Sequence, residues 1–200
     1  CGTNLQRMEI PVSAWQGREG CNEILNVTAP EVIREWHASF LSAGATVLET
    51  NTFGANAVVL AEYGLEGRMA EINRAAVENA RAAIARHGGE AFVAGAIGPT
   101  TKLPSLGHIG WDAMASAFSE QARALAEAGA GPLIIETGQD LLQGKNAPVS
   151  FFPTLESMKT GVPAMGSPTI ESTGEMLVGT GLAAALPAER RGAGSSAPSR

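Results

Sequence analysis

Short apolar runs alternate along this chain with longer stretches of helical periodicity, and this alternation is the strongest restriction on its fold. The runs predicted as strands lie at 45–50, 92–97, 132–136 and 162–171. Between them, apolar residues at helical spacing predict helices at 28–44, 68–87 and 111–129. Strict alternation of this kind favours βαβ units and a parallel sheet, in which all strands end at one common edge.

The pattern is less regular in the last third of the chain. A helical pattern begins at Leu141, but Pro148 and Pro153 are expected to break it, because proline lacks an N–H and clashes with the preceding turn. A final helix is predicted over 173–186. We count four strands and expect a fifth upstream of Cys1, because the chain starts in a glycine-containing loop of the kind that follows a strand. A doubly wound open sheet and a barrel of eight βα units both fit this pattern.

Composition narrows the class of protein. The 200 residues are 44% hydrophobic, which is enough for a folded core, and their net charge of −6 argues against a nucleic-acid partner. No apolar run reaches the roughly 18 residues of a membrane span, and the chain starts with no secretory signal pattern. Two cysteines without a paired framework predict a cytoplasmic protein.

Polar side chains are concentrated where two of the predicted strands end. Glu49, Asn51 and Thr52 follow the run at 45–48, and Glu136 ends the run at 132–135. Ligands of parallel α/β proteins bind at the carboxyl ends of the strands. Two carboxylates and neutral hydrogen-bonding groups at one edge suit a small zwitterionic ligand. The alternative role for Asn51 and Thr52 is to satisfy backbone groups of their own loop.

The segment Glu49–Asn56, read as ETNTFGAN, also resembles the second-strand signature of homocysteine S-methyltransferase domains, including the N-terminal domain of cobalamin-dependent methionine synthases. Further segments resemble that family in the same order along the chain: Cys1–Gln6, Gly20–Glu23, Pro30–Ile33, Ala94–Thr100, Leu103–Gly107, Ile134–Thr137 and Thr169–Gly174. The resemblance implies an α/β fold, a partial (β/α)₈ TIM barrel with about five of the eight βα units. It assigns 1–187 to a homocysteine-binding barrel fragment, and 188–200, which are small and polar, are predicted to be a disordered tail.

The resemblance also implies a function, the methylation of homocysteine to methionine. In this interpretation Glu136 accepts hydrogen bonds from the homocysteine ammonium, and Glu49 shares or orients that interaction. Backbone N–H groups of the loop at Gly2 and Thr3 hold the carboxylate, because glycine permits close approach. Asn51 and Thr52 add neutral hydrogen bonds. By itself the fragment is expected to have little or no turnover.

Cofactors enter only through the resemblance. In the family, zinc is held by cysteines that follow later strands, and neither Cys1 nor Cys21 matches those positions, so we expect no zinc ligands here. Methylcobalamin recharged by methyl-folate is the expected donor of the parent protein, with betaine or S-methylmethionine as alternatives. The expected partners are homocysteine, the remainder of the barrel and further domains of the parent protein.

Two other functions fit the sequence less well. The first is a non-catalytic amino-acid-binding or assembly module, which would keep the polar strand ends but lack the metal that activates the thiol. The second is an unrelated barrel enzyme such as an aldolase. Schiff-base aldolases need a lysine inside the barrel mouth, and neither Lys102 nor Lys145 is predicted at a strand end.

Overall fold

The structure of the protein, a computed structural model, describes residues 2–5, 7–159, 161–177 and 179. Within these residues the sheet contains four strands: β1 Val47–Glu49, β2 Phe92–Ile97, β3 Leu133–Gly138 and β4 Ala164–Pro168. All three neighbouring pairs are parallel, and the spatial order β1-β2-β3-β4 is also the order along the chain. The predicted parallel sheet is therefore confirmed, with shorter first and fourth strands than expected.

Helices connect and precede these strands. Four long helices alternate with the strands, namely α3 Pro30–Ser42, α5 Met69–His87, α6 Trp111–Glu127 and α7 Leu141–Ser157. Three short ones are α1 Gly2–Leu5, α2 Leu25–Thr28 and α4 Ala57–Leu60. Single 3₁₀ turns lie at Val12–Trp15, Asn22–Ile24, Ala61–Tyr63, Glu66–Arg68 and Pro104–Leu106. No helix among the described residues is both long and apolar enough to span a membrane.

The two faces of the sheet have different surroundings. Side chains alternate between faces along a strand, and Leu48, Val93 and Leu133 lie on the face that the helices cover. They pack there with Phe118, Leu125 and other buried helix residues, which form the larger core. The opposite face, here called the inner face, carries the exposed Val47, Phe92 and Met165. The inner face is the side that a closed barrel would enclose.

A second core lies where the N-terminal segment meets the helices. Leu5, Ile24 and Leu25 are fully buried, together with Ile33 of α3 and Ile72 of α5. This cluster also includes Ala55 and Leu60, which follow β1. The loop after β1 is thereby packed against the N-terminal segment.

Helix α7 corrects one expectation, because it runs without a break through Pro148 and Pro153. Its packing explains this outcome: Pro148, Phe151 and Leu155 are buried against the larger core or beside it. The Ser150 hydroxyl donates to the carbonyl oxygen of Asn146, so one carbonyl in the proline-containing turns gains a side-chain donor. Burial of an apolar face here outweighs the local cost of two prolines.

Three smaller expectations were also wrong. Helix α3 begins at Pro30 instead of at 28, with Ala29 as its N-cap, and the Thr28 hydroxyl donates to the carbonyl of Ile24. The N-terminal loop is a helical turn, α1. Of the helix predicted over 173–186, residues 173–177 form turns and an isolated bridge, and most of the remainder lies outside the described residues. The predicted tail at 188–200 also lies outside them.

Candidate functional site

Hydrogen bonds tie the loop after β1 to strand β2. The Thr50 and Thr52 hydroxyls lie 2.6 Å apart, and Thr52 Oγ1 donates to the carbonyl of Ala96 at 2.7 Å. The amide of Ala96 donates to Thr50 Oγ1 at 3.0 Å. Both threonines are completely buried. Their side chains therefore continue the β1–β2 ladder beyond the last residue of β1.

Asn51 attaches the same loop to the N-terminal segment. Its side-chain amide donates to the carbonyl of Asn22 at 2.8 Å and to Asn26 Oδ1 at 3.3 Å. In return, Asn26 Nδ2 donates to the carbonyl of Asn51 at 2.7 Å. The side chains of both residues are buried. The predicted ligand contact of Asn51 and Thr52 stays a prediction, and their observed bonds are those of a rigid loop.

A buried acid, Glu23, fixes the next turn of this loop. Glu23 Oε1 accepts from the amide of Gly54 at 2.7 Å, and a Cβ on Gly54 would come within 2.9 Å of that oxygen. Burial raises the pKa of Glu23 above its ordinary value, although the Gly54 hydrogen bond acts in the opposite direction. Cys21 Sγ lies 3.7 Å from the other carboxylate oxygen.

Gln121 of α6 and the end of β2 complete this support. Gln121 is fully buried, and its amide nitrogen donates to the carbonyl of Thr52 at 2.8 Å. The amide of Gly98 donates to the carbonyl of Phe53 at 3.0 Å. A Cβ on Gly98 would lie only 2.6 Å from that carbonyl oxygen, so only glycine fits there.

The two acids at the strand ends lie on one face of the sheet. Glu49 pairs with Ala94, whereas Ile135 pairs with Ile97, so that Glu136 falls beside Gly98. Ala94 and Gly98 are four residues apart and therefore share a face. Glu49 is exposed and Glu136 is half-buried. Burial, and secondly the charge of Glu49, raises the pKa of Glu136 above its ordinary value. No group among the described residues forms a hydrogen bond with the Glu136 carboxylate.

The backbone is irregular immediately after Glu136. Glu136 pairs with Ser167 and Gly138 with Pro168, so Thr137 is an extra residue on β3 and forms a bulge. Thr137 has a φ of 61°, a left-handed conformation that is unfavourable for a β-branched residue. Beyond the bulge, the buried Asp140 caps α7 and accepts from the amide and the hydroxyl of Ser105. Strained residues of this kind often lie at functional sites.

The remaining predicted site residues lie at the N-terminus. Gly2 and Thr3 belong to the helical turn α1, and Thr3 is exposed. Their predicted contact with a substrate carboxylate is not tested by this arrangement.

A zinc ion does not fit the described residues. Among them no three histidine, cysteine or acidic side chains are grouped as metal ligands would be. Cys21 is buried, and burial together with the charge of Glu23 raises the pKa of its thiol to about 11.

Sequence reasoning missed four residues that shape the site, namely Glu23, Asn26, Gln121 and Asp140. Only Asp140 carries a local signal, since an aspartate directly before a helical pattern is typical of an N-cap. The other three act on backbone groups between 25 and 69 residues away, and nothing in their own surroundings in the sequence indicates those partners.

Comparisons with known proteins agree with one another. A family model described as homocysteine S-methyltransferase matches residues 1–194. Over 190 residues the chain is 37% identical to methionine synthase of Mycobacterium tuberculosis and 36% identical to that of Mycobacterium leprae. Each match covers 94% of this chain and 16% of the relative. Among solved structures, the fold is similar to the metallated form of the homocysteine methyltransferase MmuM from Escherichia coli. That match has a TM-score of 0.72 at 23% identity and covers 94% of this chain and 67% of the other.

Proposed function

Because the chain belongs to the homocysteine S-methyltransferase family, we propose that the rim bearing Glu49 and Glu136 binds the amino-acid end of homocysteine. The chain spans about a sixth of the length of the methionine synthases it resembles. We therefore place it as the homocysteine-binding part of a methionine synthase-like enzyme, which transfers a methyl group to the homocysteine sulfur and gives methionine.

The observation that carries this proposal is the state of Glu136. Its carboxylate is half-buried at a strand end, and no described residue pairs with it. The nearby Glu49 adds negative charge. An ammonium group at this position would offset both the burial of the Glu136 carboxylate and its repulsion by Glu49. A charge-assisted hydrogen bond of this kind contributes roughly 1.5–3 kcal/mol. The rim is therefore suited to an ammonium group of a small ligand.

The other predicted residues take supporting roles in this proposal. Asn51 and Thr52 keep the loop after β1 rigid, so that Glu49 is presented from a fixed strand end. Gly2 and Thr3 remain candidates for the homocysteine carboxylate on the resemblance alone. The methyl donor, methylcobalamin recharged by methyl-folate, is likewise supported only by the likeness to methionine synthases. The described residues do not provide a zinc site, so no step of the reaction is assigned to them through zinc.

The test is a binding measurement that isolates the contribution of the ammonium group to the affinity for homocysteine. L-homocysteine and 4-mercaptobutanoate, which lacks the amino group, are titrated calorimetrically into the chain and into Glu136→Gln. We expect Glu136→Gln to weaken homocysteine binding by at least about tenfold, the equivalent of one charge-assisted hydrogen bond. The desamino compound should bind both proteins equally weakly.

A matched control is Glu156→Gln, which removes the same charge from an exposed position on α7. It should bind homocysteine as the parent chain does. Equal homocysteine affinity in the parent chain and Glu136→Gln would refute the assignment of the ammonium to Glu136. Equal affinity for the two ligands in the parent chain would refute it independently.

A further inference from the structure

The start of helix α7 carries three buried polar residues that the proposed function does not use. They are the N-cap Asp140, followed by Gln143 and Asn146, and their exposed fractions are 0%, 2% and 0%. Residues three apart follow one another along the same side of a helix. A buried polar group is costly unless it forms a hydrogen bond. The partners of these side chains therefore explain why this side of α7 is polar.

All three side chains bond to the segment that connects β2 to α6. This segment, residues 98–111, is here called the β2 loop. The Gln143 side-chain amide donates to Thr100 Oγ1 at 2.8 Å, near the beginning of the β2 loop. The Asn146 side-chain amide donates to the carbonyl of Trp111 at 2.9 Å, at its end. The β2 loop is thus attached to α7 at both of its ends.

Asp140 makes the attachment in the middle of the β2 loop. Its Oδ1 accepts from the Ser105 hydroxyl at 2.7 Å, and its Oδ2 accepts from the Ser105 amide at 3.0 Å. The same Oδ1 accepts from the amide of Leu142 at 2.8 Å, which caps α7. Hydrogen bonds to a carboxylate are roughly twice as strong as those between neutral groups. Asp140 is therefore the strongest of the three connections between α7 and the β2 loop.

Asp140 also fixes one end of the strained stretch that follows Glu136. Thr137 has the left-handed φ of 61°, and a conformation of this kind persists only where the surrounding structure holds it. On one side the stretch is held by β4, because the carbonyl of Gly138 accepts from the amide of Thr169 at 3.0 Å. On the other side it is held by Asp140. The backbone that carries Glu136 is therefore fixed from two directions.

We propose that Asp140 is a positioning residue for Glu136. Through Ser105 it ties the β2 loop to the end of β3, so that the backbone at Thr137 stays in its strained conformation and the Glu136 carboxylate keeps one orientation at the rim. A carboxylate that is already oriented loses less conformational freedom when it binds an ammonium group. This inference rests on the proposed function only for the identity of the group that Glu136 binds.

The test uses Ser105→Ala, which removes one hydrogen bond to Asp140 at an exposed position of the 200-residue chain. The first readout is the ratio of the calorimetric affinities for L-homocysteine and 4-mercaptobutanoate, which we expect to fall at least about threefold. The second is the pKa of the Glu136 carboxyl, followed by carbon-13 NMR and assigned with Glu136→Gln. A less fixed carboxylate is better hydrated, so this pKa should fall from its raised value towards the ordinary one.

Two control variants separate positioning from a general loss of stability. Ser119→Ala removes a comparable bond, in which the Ser119 hydroxyl donates to the carbonyl of Ser150 on α7 at 2.7 Å. Ser150 lies ten residues beyond Asp140, roughly 15 Å along the helix. Ser119→Ala should keep the affinity ratio and the Glu136 pKa of the parent chain. Ser105→Thr retains a hydroxyl and should keep the ratio within about twofold.

Asp140→Asn should have a larger effect, because an amide nitrogen replaces one of the two oxygens that accept from Ser105 and Leu142. If this variant fails to fold by circular dichroism, Ser105→Ala still gives the answer. An unchanged Glu136 pKa and an unchanged affinity ratio in Ser105→Ala would overturn the inference. An equal change in Ser119→Ala would also overturn it. A parent chain that binds both ligands equally would refute the proposed function alone, since the Glu136 pKa in Ser105→Ala then still decides whether Asp140 positions the carboxylate.

Discussion

The ends of strands β1 and β3, here called the β1 rim and the β3 rim, each carry an acid. The polar side chains at these two ends differ in their hydrogen bonding. After β1, the side chains of Thr50, Asn51 and Thr52 are all bonded to other parts of the protein. At β3, the Glu136 carboxylate has no hydrogen-bond partner among the described residues, and the residue after it is strained. The side chains of Thr50, Asn51 and Thr52 are therefore bonded within the protein, whereas the Glu136 carboxylate has no bond of this kind to a described residue.

The difference follows from how each rim is supported. The β1 loop is held by residues from the N-terminal segment, β2 and α6, and the side-chain donors of Asn51 and Thr52 are used in these bonds. The β3 rim is held mainly through Asp140, which lies beyond the bulge and caps α7. The Glu136 carboxylate forms no hydrogen bond with any described residue. In the function we propose, the rigid β1 loop and the Glu136 carboxylate, which has no hydrogen bond to a described residue, are the two parts of a preorganised site.

The largest expected effect concerns the rigidity of the β1 loop. Gly98→Ala should lower the free energy of unfolding by about 3 kcal/mol, because the new methyl group would overlap the carbonyl and ring of Phe53. Urea denaturation measures this change. Gly67→Ala, where an added Cβ meets nothing within 4 Å, is the control and should change stability by no more than about 0.5 kcal/mol. A loss below about 1 kcal/mol for Gly98→Ala would show that the loop is looser than its contacts indicate.

A somewhat smaller effect is expected at Asn51. Replacing it with alanine leaves Asn26 Oδ1 without its donor in a buried region and removes the side-chain donor of the Asn22 carbonyl, which keeps only the Leu25 amide. We expect a loss of about 2 kcal/mol in the free energy of unfolding. Asn4→Ala, at an exposed position, should have little effect. Unchanged stability of Asn51→Ala, combined with lost homocysteine affinity, would reverse our comparison and make Asn51 a ligand-binding residue.

At the β3 rim, a substitution is expected to stabilise the protein. Thr137→Asn removes a branched Cβ from a left-handed backbone conformation that asparagine tolerates better. The gain in the free energy of unfolding should be up to about 1 kcal/mol. Thermal or urea unfolding reports this gain, with Thr173→Asn in an exposed turn as the neutral control. A loss of stability in Thr137→Asn would mean that the threonine is not strained.

Much of this fold was predictable from local pattern. The four parallel strands and the helices α5 and α6 were predicted within a few residues, because apolar periodicity reports burial directly. The unbroken helix α7 was not predicted. The rule that proline breaks a helix considers only the local sequence of Pro148 and Pro153, whereas Phe151 and Leu155 pack against residues that are distant in the sequence. Helix α3 begins at Pro30 instead of at 28, a difference of two residues that pattern cannot resolve.

The site was predictable only in outline. The sequence predicts that Glu49 and Glu136 lie at strand ends, because each follows an apolar run. Whether the two acids share a face of the sheet depends on the registers of two strand pairs, and no local feature of the sequence specifies these registers. The roles of Asn51 and Thr52 depend on distant partners such as Asn26 and Ala96, so their residue types alone could not separate a scaffold from a binding surface.

The smallest expected effect is the most specific to Glu136. Its raised pKa means that the folded state resists ionisation of this carboxyl, so stability falls as pH rises from the unfolded pKa near 4.5 through the folded value. Glu136→Gln removes that cost. Without ligand, the variant should be more stable than the parent chain at pH 7 by less than about 1 kcal/mol, after allowance for solvent screening. The difference should vanish below about pH 4, where the carboxyl is protonated in both states. Urea unfolding of both proteins from pH 3.5 to 7.5 measures it. A variant less stable than the parent chain at pH 7 would mean that the Glu136 carboxylate already has a favourable partner, and the contrast between the two rims would fail.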